Sequence, residues 1–142
     1  MKAYRALAAK LNYVGQDDPT VQFAAKEVRR KMSCPTVGDF MKLKKVVRFM
    51  TGIKEVLWEY PWQDEAEALI LRVYADSDWA GCVRTRRSTS GGVVMLGRHP
   101  LRAWSTTQGS VATSSAEAEL YSMCEAAARG LGLRSMLGEL GF

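Results

Sequence analysis

Asp76 and Asp78 close an apolar stretch, LILRVYADSDWAG from Leu69 to Gly81, and Glu117 and Glu119 open a later one, Ser114 to Leu120. Carboxylates drawn from two separated points suit hard, oxygen-seeking cations such as Mg2+ or Mn2+. Two such ions about 4 Å apart can activate a water and stabilise the leaving oxygen of a phosphodiester. Zinc chemistry is not indicated: Cys34, Cys82 and Cys124 are scattered singly with one histidine, His99, at none of the zinc-ligand spacings, and read as free thiols. An Asp with a Glu is by itself a weak signal, because acids also start turns and cap helices. What decides is the structure that positions them.

In the first stretch Leu69, Leu71, Val73 and Ala75 alternate with Ile70, Arg72, Tyr74 and Asp76, which predicts a strand with one apolar face and Asp76 at its end. Cys82 to Arg87 is basic and Ser88 to Gly92 small and polar, a turn region. Val93–Leu96 and Leu101–Ser105 then read as an antiparallel hairpin about a turn at Gly97 to Pro100, and Gln108 to Thr113 as loop. A long helix follows from about Ser115 to Leu140, with Ala116, Leu120, Met123, Ala127 and Leu131 as its expected buried stripe. A helical wheel alone leaves both glutamates within a quarter turn of that stripe. Ser114 and Glu117 have the spacing of a capping box, which gives Glu117 a structural task and leaves Glu119 as the better partner for Asp76.

Upstream, helical spacing predicts helices over residues 2–14, stopped by Gly15, over 20–32, opened by Pro19, and over 36–50, with Thr36 and Asp39 as capping residues. The third is apolar through Phe40, Leu43, Val46, Val47 and Met50 and basic through Lys42, Lys44, Lys45 and Arg48. Residues 53–60, IKEVLWEY, alternate as a short strand would, and Trp58, Trp62, Trp79 and Trp104 are expected to be core or boundary aromatics. Residues 1–60 hold 12 Lys and Arg against 6 Asp and Glu, whereas residues 61–142 hold 8 against 9. The basic half suits a polyanion such as a nucleic-acid backbone, or a plain solvated surface. With 47% hydrophobic residues among 142, an ordinary folded domain is expected. No apolar run approaches the roughly 20 residues that span a bilayer and no signal-peptide pattern opens the chain, so an intracellular protein with no membrane partner is expected.

The runs YADSDWAG, RRSTSGG, LRAWSTTQ and VATSSAEAELYSMCEAA, in that order, resemble the ribonuclease H region of copia-type retrotransposon Pol polyproteins. That family shows an SDADWAG-like strand end, an RKSTSG turn, a WSSKQ strand and an SSTEAEY helix start. The runs YRALAAKLNYV, PTVQFAAKEVRRKMSCPT and LKKVVRFMTG resemble the thumb and connection of the reverse transcriptase that precedes it. The resemblance implies an α/β (α+β) chain: a basic helical thumb- or connection-like segment over residues 1–60, then over 61–142 a partial ribonuclease H-like fold with an antiparallel strand hairpin and a long C-terminal helix. It implies hydrolysis of the RNA strand of an RNA/DNA hybrid by two-metal catalysis with Mg2+ or Mn2+.

Carried over residue by residue, the catalytic and metal-binding positions fall on Asp76 and Glu119, with Asp78 a turn or supporting residue. Arg84, Arg86, Arg87, Ser88, Thr89 and Ser90 are expected to touch the nucleic-acid backbone, as are Lys42 and Lys45. The family's later acids, the next of them in a T-D-S-type strand, are not reached by Phe142. These 142 residues are therefore expected to be weak or inactive alone, a piece of a longer polyprotein whose remainder is a partner. Expected locations are the cytoplasm, virus-like particles or the nucleus. The alternative is a catalytically inactive nucleic-acid-binding remnant of such an element, and a third reading is an interaction domain whose acids merely cap and pair.

Overall fold

Two side-chain caps set the helix starts of the first half. Asp18 accepts from the Thr20 main chain at 2.9 Å and Pro19 occupies the first helical position behind it. Thr36 and Asp39 form a reciprocal capping box, each side chain bonded to the other's main chain. In the computed structural model, which describes residues 1–53 and 55–142, these caps begin α2 (Pro19–Arg29) and α3 (Val37–Gly52), after α1 (Lys2–Asp17).

The chain divides into two units, Met1–Trp58 and Glu59–Phe142. In the first, Tyr4, Ala8, Leu11, Val21, Ala25, Val28 and Leu43 make a core against which Met32, Val46 and Met50 pack. Gly15 does not stop α1: it lies inside the helix, and a Cβ there would sit 3.1 Å from the Ala25 Cβ, so its smallness lets α1 and α2 approach. α2 ends at Arg29, short of the expected Met32, and Arg5 donates to the carbonyls of Met32 and Ser33 at 2.8 and 3.3 Å. The expected strand over 53–60 is absent from the described residues: 53 and 55–60 form no regular element, and position 54 lies outside the description.

The second unit contains α4 (Glu65–Ala68), β1 (Leu71–Asp78), β2 (Thr89–Leu96), β3 (His99–Thr107) and α5 (Ser115–Glu139). The strands form an antiparallel sheet in the order β1-β2-β3, with Asp76 opposite Gly91 and Ser77 opposite Ser90. β2 begins inside the stretch expected to be a turn. Gly97, at φ +57, makes the reversal into β3. Helices and an antiparallel sheet thus combine as the α/β (α+β) reading expects, with the long helix last.

α5 packs on the sheet through a face other than the expected one. Ala118, Ser122, Ala126 and Gly130, at i, i+4 spacing, are buried, while Leu120, Met123 and Leu131 are exposed. Small residues bring the helix close: a Cβ on Gly130 would lie 2.8 Å from Val73 Cγ2. Val94, Trp104 and Ala126 form the core beneath, packed by Leu71, Val73, Ala75 and Leu133. The Arg129 guanidinium lies 4.9 Å from the centre of the Trp104 ring. Trp62, expected in the core or at a boundary, is 83% exposed.

Candidate functional site: the tip of the first strand

Along β1 burial alternates: Val73, Ala75 and Ser77 are half-buried, while Tyr74, Asp76 and Asp78 are exposed. Strand pleating sends the first set beneath α5 and the second to the opposite face. At the tip three hydrogen bonds tie α5 down. Ser77 donates its hydroxyl to Glu119 Oε1 at 2.9 Å, Ser122 donates to the Asp76 carbonyl at 2.8 Å, and the buried Gln108 donates to the Ala118 carbonyl at 2.8 Å and to Ser90 Oγ at 3.0 Å. The opening turns of α5 are thereby held against the end of β1, and Glu119 beside the Asp76 main chain. The Glu119 carboxylate reaches the tip from the helix side. The Asp76 carboxylate starts from the exposed side.

The donors near this point are carboxylate and hydroxyl oxygens, the type a hard divalent cation takes. Among the described residues no group of three or more His, Cys, Asp and Glu side chains is placed to hold a metal ion. Asp76 and Glu119 supply two carboxylates that start from opposite faces of β1, and a cation held there would need further oxygens.

The neighbouring acids have structural tasks. Asp78 Oδ1 accepts from the Thr89 main chain, closing the loop between β1 and β2, and its carboxyl occupies the space beside Gly81 that a Cβ there would need. Glu117 accepts from the Thr113 hydroxyl at 2.6 Å, the Thr113 main chain at 2.7 Å and the Tyr121 hydroxyl at 3.0 Å. Those bonds, the Thr113 hydroxyl foremost, hold its carboxyl below the ordinary carboxylate range. Ser114 Oγ caps the Glu117 main chain, but Glu117 reaches back to Thr113, one residue earlier than a standard capping box.

The loop from Cys82 to Arg87 is pinned by main-chain bonds between Cys82 and both Arg86 and Arg87, with Arg86 in the left-handed region at φ 56. Arg84, Arg86 and Arg87 are exposed, and Lys42 and Lys45 lie on the exposed side of α3. Ser88 and Ser90 correct the expectation that they face a nucleic-acid backbone. Both are fully buried: Ser88 Oγ accepts from the Ala80 main chain at 2.9 Å, and Ser90 Oγ accepts from Gln108. Thr89, between them, is half-buried with its main chain bonded to Asp78. Sequence reasoning overlooked Ser77, Gln108 and Ser122. Gln108 stood in a quoted motif, LRAWSTTQ, yet as the first residue of an expected loop it carried no sign of burial.

The chain is 32% identical over 138 residues to the retrovirus-related Pol polyprotein from transposon RE2 of Arabidopsis thaliana and 31% identical over 138 residues to that from transposon RE1, in each case over 97% of this chain. It is a homologue of one segment of transposon Pol polyproteins. An uncharacterized mitochondrial protein of Arabidopsis thaliana, AtMg00810, is 32% identical over 125 residues, 88% of this chain. This Pol homologue spans 9% of the length of the RE2 and RE1 polyproteins and 51% of the mitochondrial protein. No protein-family model and no solved structure matches it. Among its described residues no helix is long and apolar enough to cross a membrane.

Proposed function

We propose that the chain serves the ribonuclease H step of a transposon Pol polyprotein, hydrolysis of the RNA strand of an RNA/DNA hybrid, with Asp76 and Glu119 as ligands of Mg2+ or Mn2+. The observation that carries the reading is the tip of β1, where Ser77 and Ser122 tie Glu119 and its helix to the strand end that bears Asp76. A divalent cation bound there would activate water and stabilise the departing oxygen. The attacking oxygen joins phosphorus and its proton passes to the departing ribose oxygen, leaving a hydroxyl and a phosphate. Arg84, Arg86 and Arg87 contribute phosphate contacts that position a duplex without reading its sequence, and Lys42 and Lys45 add further ones. Water would complete the oxygen set of a cation held by these two carboxylates.

A second reading, a nucleic-acid-binding segment without catalysis, is favoured by the two-carboxylate donor set, which encloses no cation by itself. Fluorescence anisotropy of a labelled RNA/DNA hybrid, with and without Mg2+, separates the two. The ribonuclease H reading expects hybrid affinity that falls with salt, weakens when Arg84, Arg86 and Arg87 become alanine, and gains from Mg2+ through Asp76 and Glu119. It also expects weak or no cleavage by these 142 residues. Mg2+-independent binding unaltered by Asp76→Asn and Glu119→Gln would favour the second reading. Absence of hybrid affinity at low salt would exclude both, and so would robust cleavage that survives Asp76→Asn exclude the metal site.

A further inference from the structure

Ser77, at the tip of β1, has a hydroxyl with a use that an alanine there could not serve. It donates to Glu119 Oε1 at 2.9 Å across 42 residues of sequence. We propose that Ser77 is a positioning residue: it fixes the Glu119 side chain by occupying one lone pair of Oε1, which leaves Oε2 as the freer oxygen for a divalent cation. The inference rests on the metal reading above and specifies how Glu119 takes part in it.

Three features of the fold make the bond a positioning device. Glu119 is half-buried at the end of a long side chain that would otherwise sample several rotamers, and one strong acceptor contact selects among them. The helix that carries it cannot slide to compensate. Ser122 holds α5 to the Asp76 carbonyl one turn further along, and the buried Gln108 holds the Ala118 carbonyl, the residue before Glu119. Ser77 is itself fixed by the ladder, opposite the fully buried Ser90, which accepts from the same Gln108. A hydroxyl on a rigid strand, a carboxylate on an anchored helix and a shared amide between them give Glu119 one orientation. Partners of this outer kind orient metal ligands, and their loss costs on the order of tenfold or more in metal affinity.

The test is the carbon signal of the Glu119 side-chain carboxyl, followed by NMR in the full 142-residue chain during a Mg2+ titration, in wild type, Ser77→Ala and Ser77→Thr. Without metal the signal is expected to move in Ser77→Ala and to keep its place in Ser77→Thr, which retains a hydroxyl. With metal, the titration midpoint of Ser77→Ala is expected to rise about tenfold and that of Ser77→Thr to stay near wild type. A responsive wild type with an unchanged Ser77→Ala midpoint overturns the role of Ser77 and leaves the metal reading standing. A wild-type Glu119 signal indifferent to Mg2+ overturns the metal reading and this role with it. A Ser77→Thr midpoint raised as far as that of Ser77→Ala also overturns the proposal, since packing rather than the hydroxyl would then be responsible.

Discussion

Glu117 and Glu119 stand two residues apart on one helix and do different things, because their donors differ. The Glu117 carboxylate is bound by Thr113 and Tyr121, which favour its charged form and hold it below the ordinary value of 4.5. A carboxyl depressed in the folded state contributes stability that is fully present above its unfolded value and is lost as pH falls through the folded value. Glu117→Gln is therefore expected to lower the urea midpoint at neutral pH. The charge-dependent part of its deficit should begin to shrink near pH 4.5 and vanish below the lowered value. A deficit constant down to pH 2 would contradict this account. The same sign applies to Asp39, lowered first of all by the Thr36 main chain. The Thr36–Asp39 box and the Ser114 cap on the Glu117 main chain were legible in the sequence because they are local patterns, while the bond of the Glu117 carboxylate to Thr113 falls one residue outside the expected box. Ser77 with Glu119 was not legible, since its partners lie 42 residues apart and meet only when helix and sheet pack.

At the scale of elements, α5 shows why a hydrophobic stripe can mislead. Its large residues, Leu120, Met123 and Leu131, have the periodicity of a buried face, yet the sheet is met by Ala118, Ser122, Ala126 and Gly130. Hydropathy weights size, whereas close helix-on-sheet packing selects smallness, and the helix carries both stripes. Substitutions should follow the observed face. Leu131→Ala is expected to change stability by no more than about 0.5 kcal/mol. Ala118→Leu should cost about 1–3 kcal/mol, because it would force added methylenes into a fully buried contact. Chemical denaturation measures both, and a larger loss at Leu131 than at Ala118 would reverse the assignment. β1 was legible because its alternation coincides with a real partner in β2. Residues 53–60 alternate too, but alternation reports which side chains share a face and not whether a neighbouring strand exists.

At the scale of the whole molecule, a net charge of +5 with its excess in the first 60 residues gives the chain a basic half and an acid-bearing half. Motif order and charge balance were the molecular features that the sequence displayed openly, and the Pol relationship follows from them and from the match to RE2 and RE1. If Lys42 and Lys45 each neutralise a phosphate, replacing both by alanine should reduce the slope of log affinity against log salt by roughly one to two, with equal effect on hybrids of unrelated sequence. Anisotropy over a salt series reads the slope directly; a loss of affinity confined to one sequence would point to base contacts instead. In the proposed metal site Asp76 and Glu119 would serve one divalent cation at the β1 tip, and bound Mn2+ would broaden the NMR signals of nearby amides. Trace Mn2+ is expected to broaden the amides around Asp76 and those around Glu119 together, and either Asp76→Asn or Glu119→Gln is expected to relieve both. Broadening at one of the two segments alone, or broadening that survives both substitutions, would contradict the proposed site.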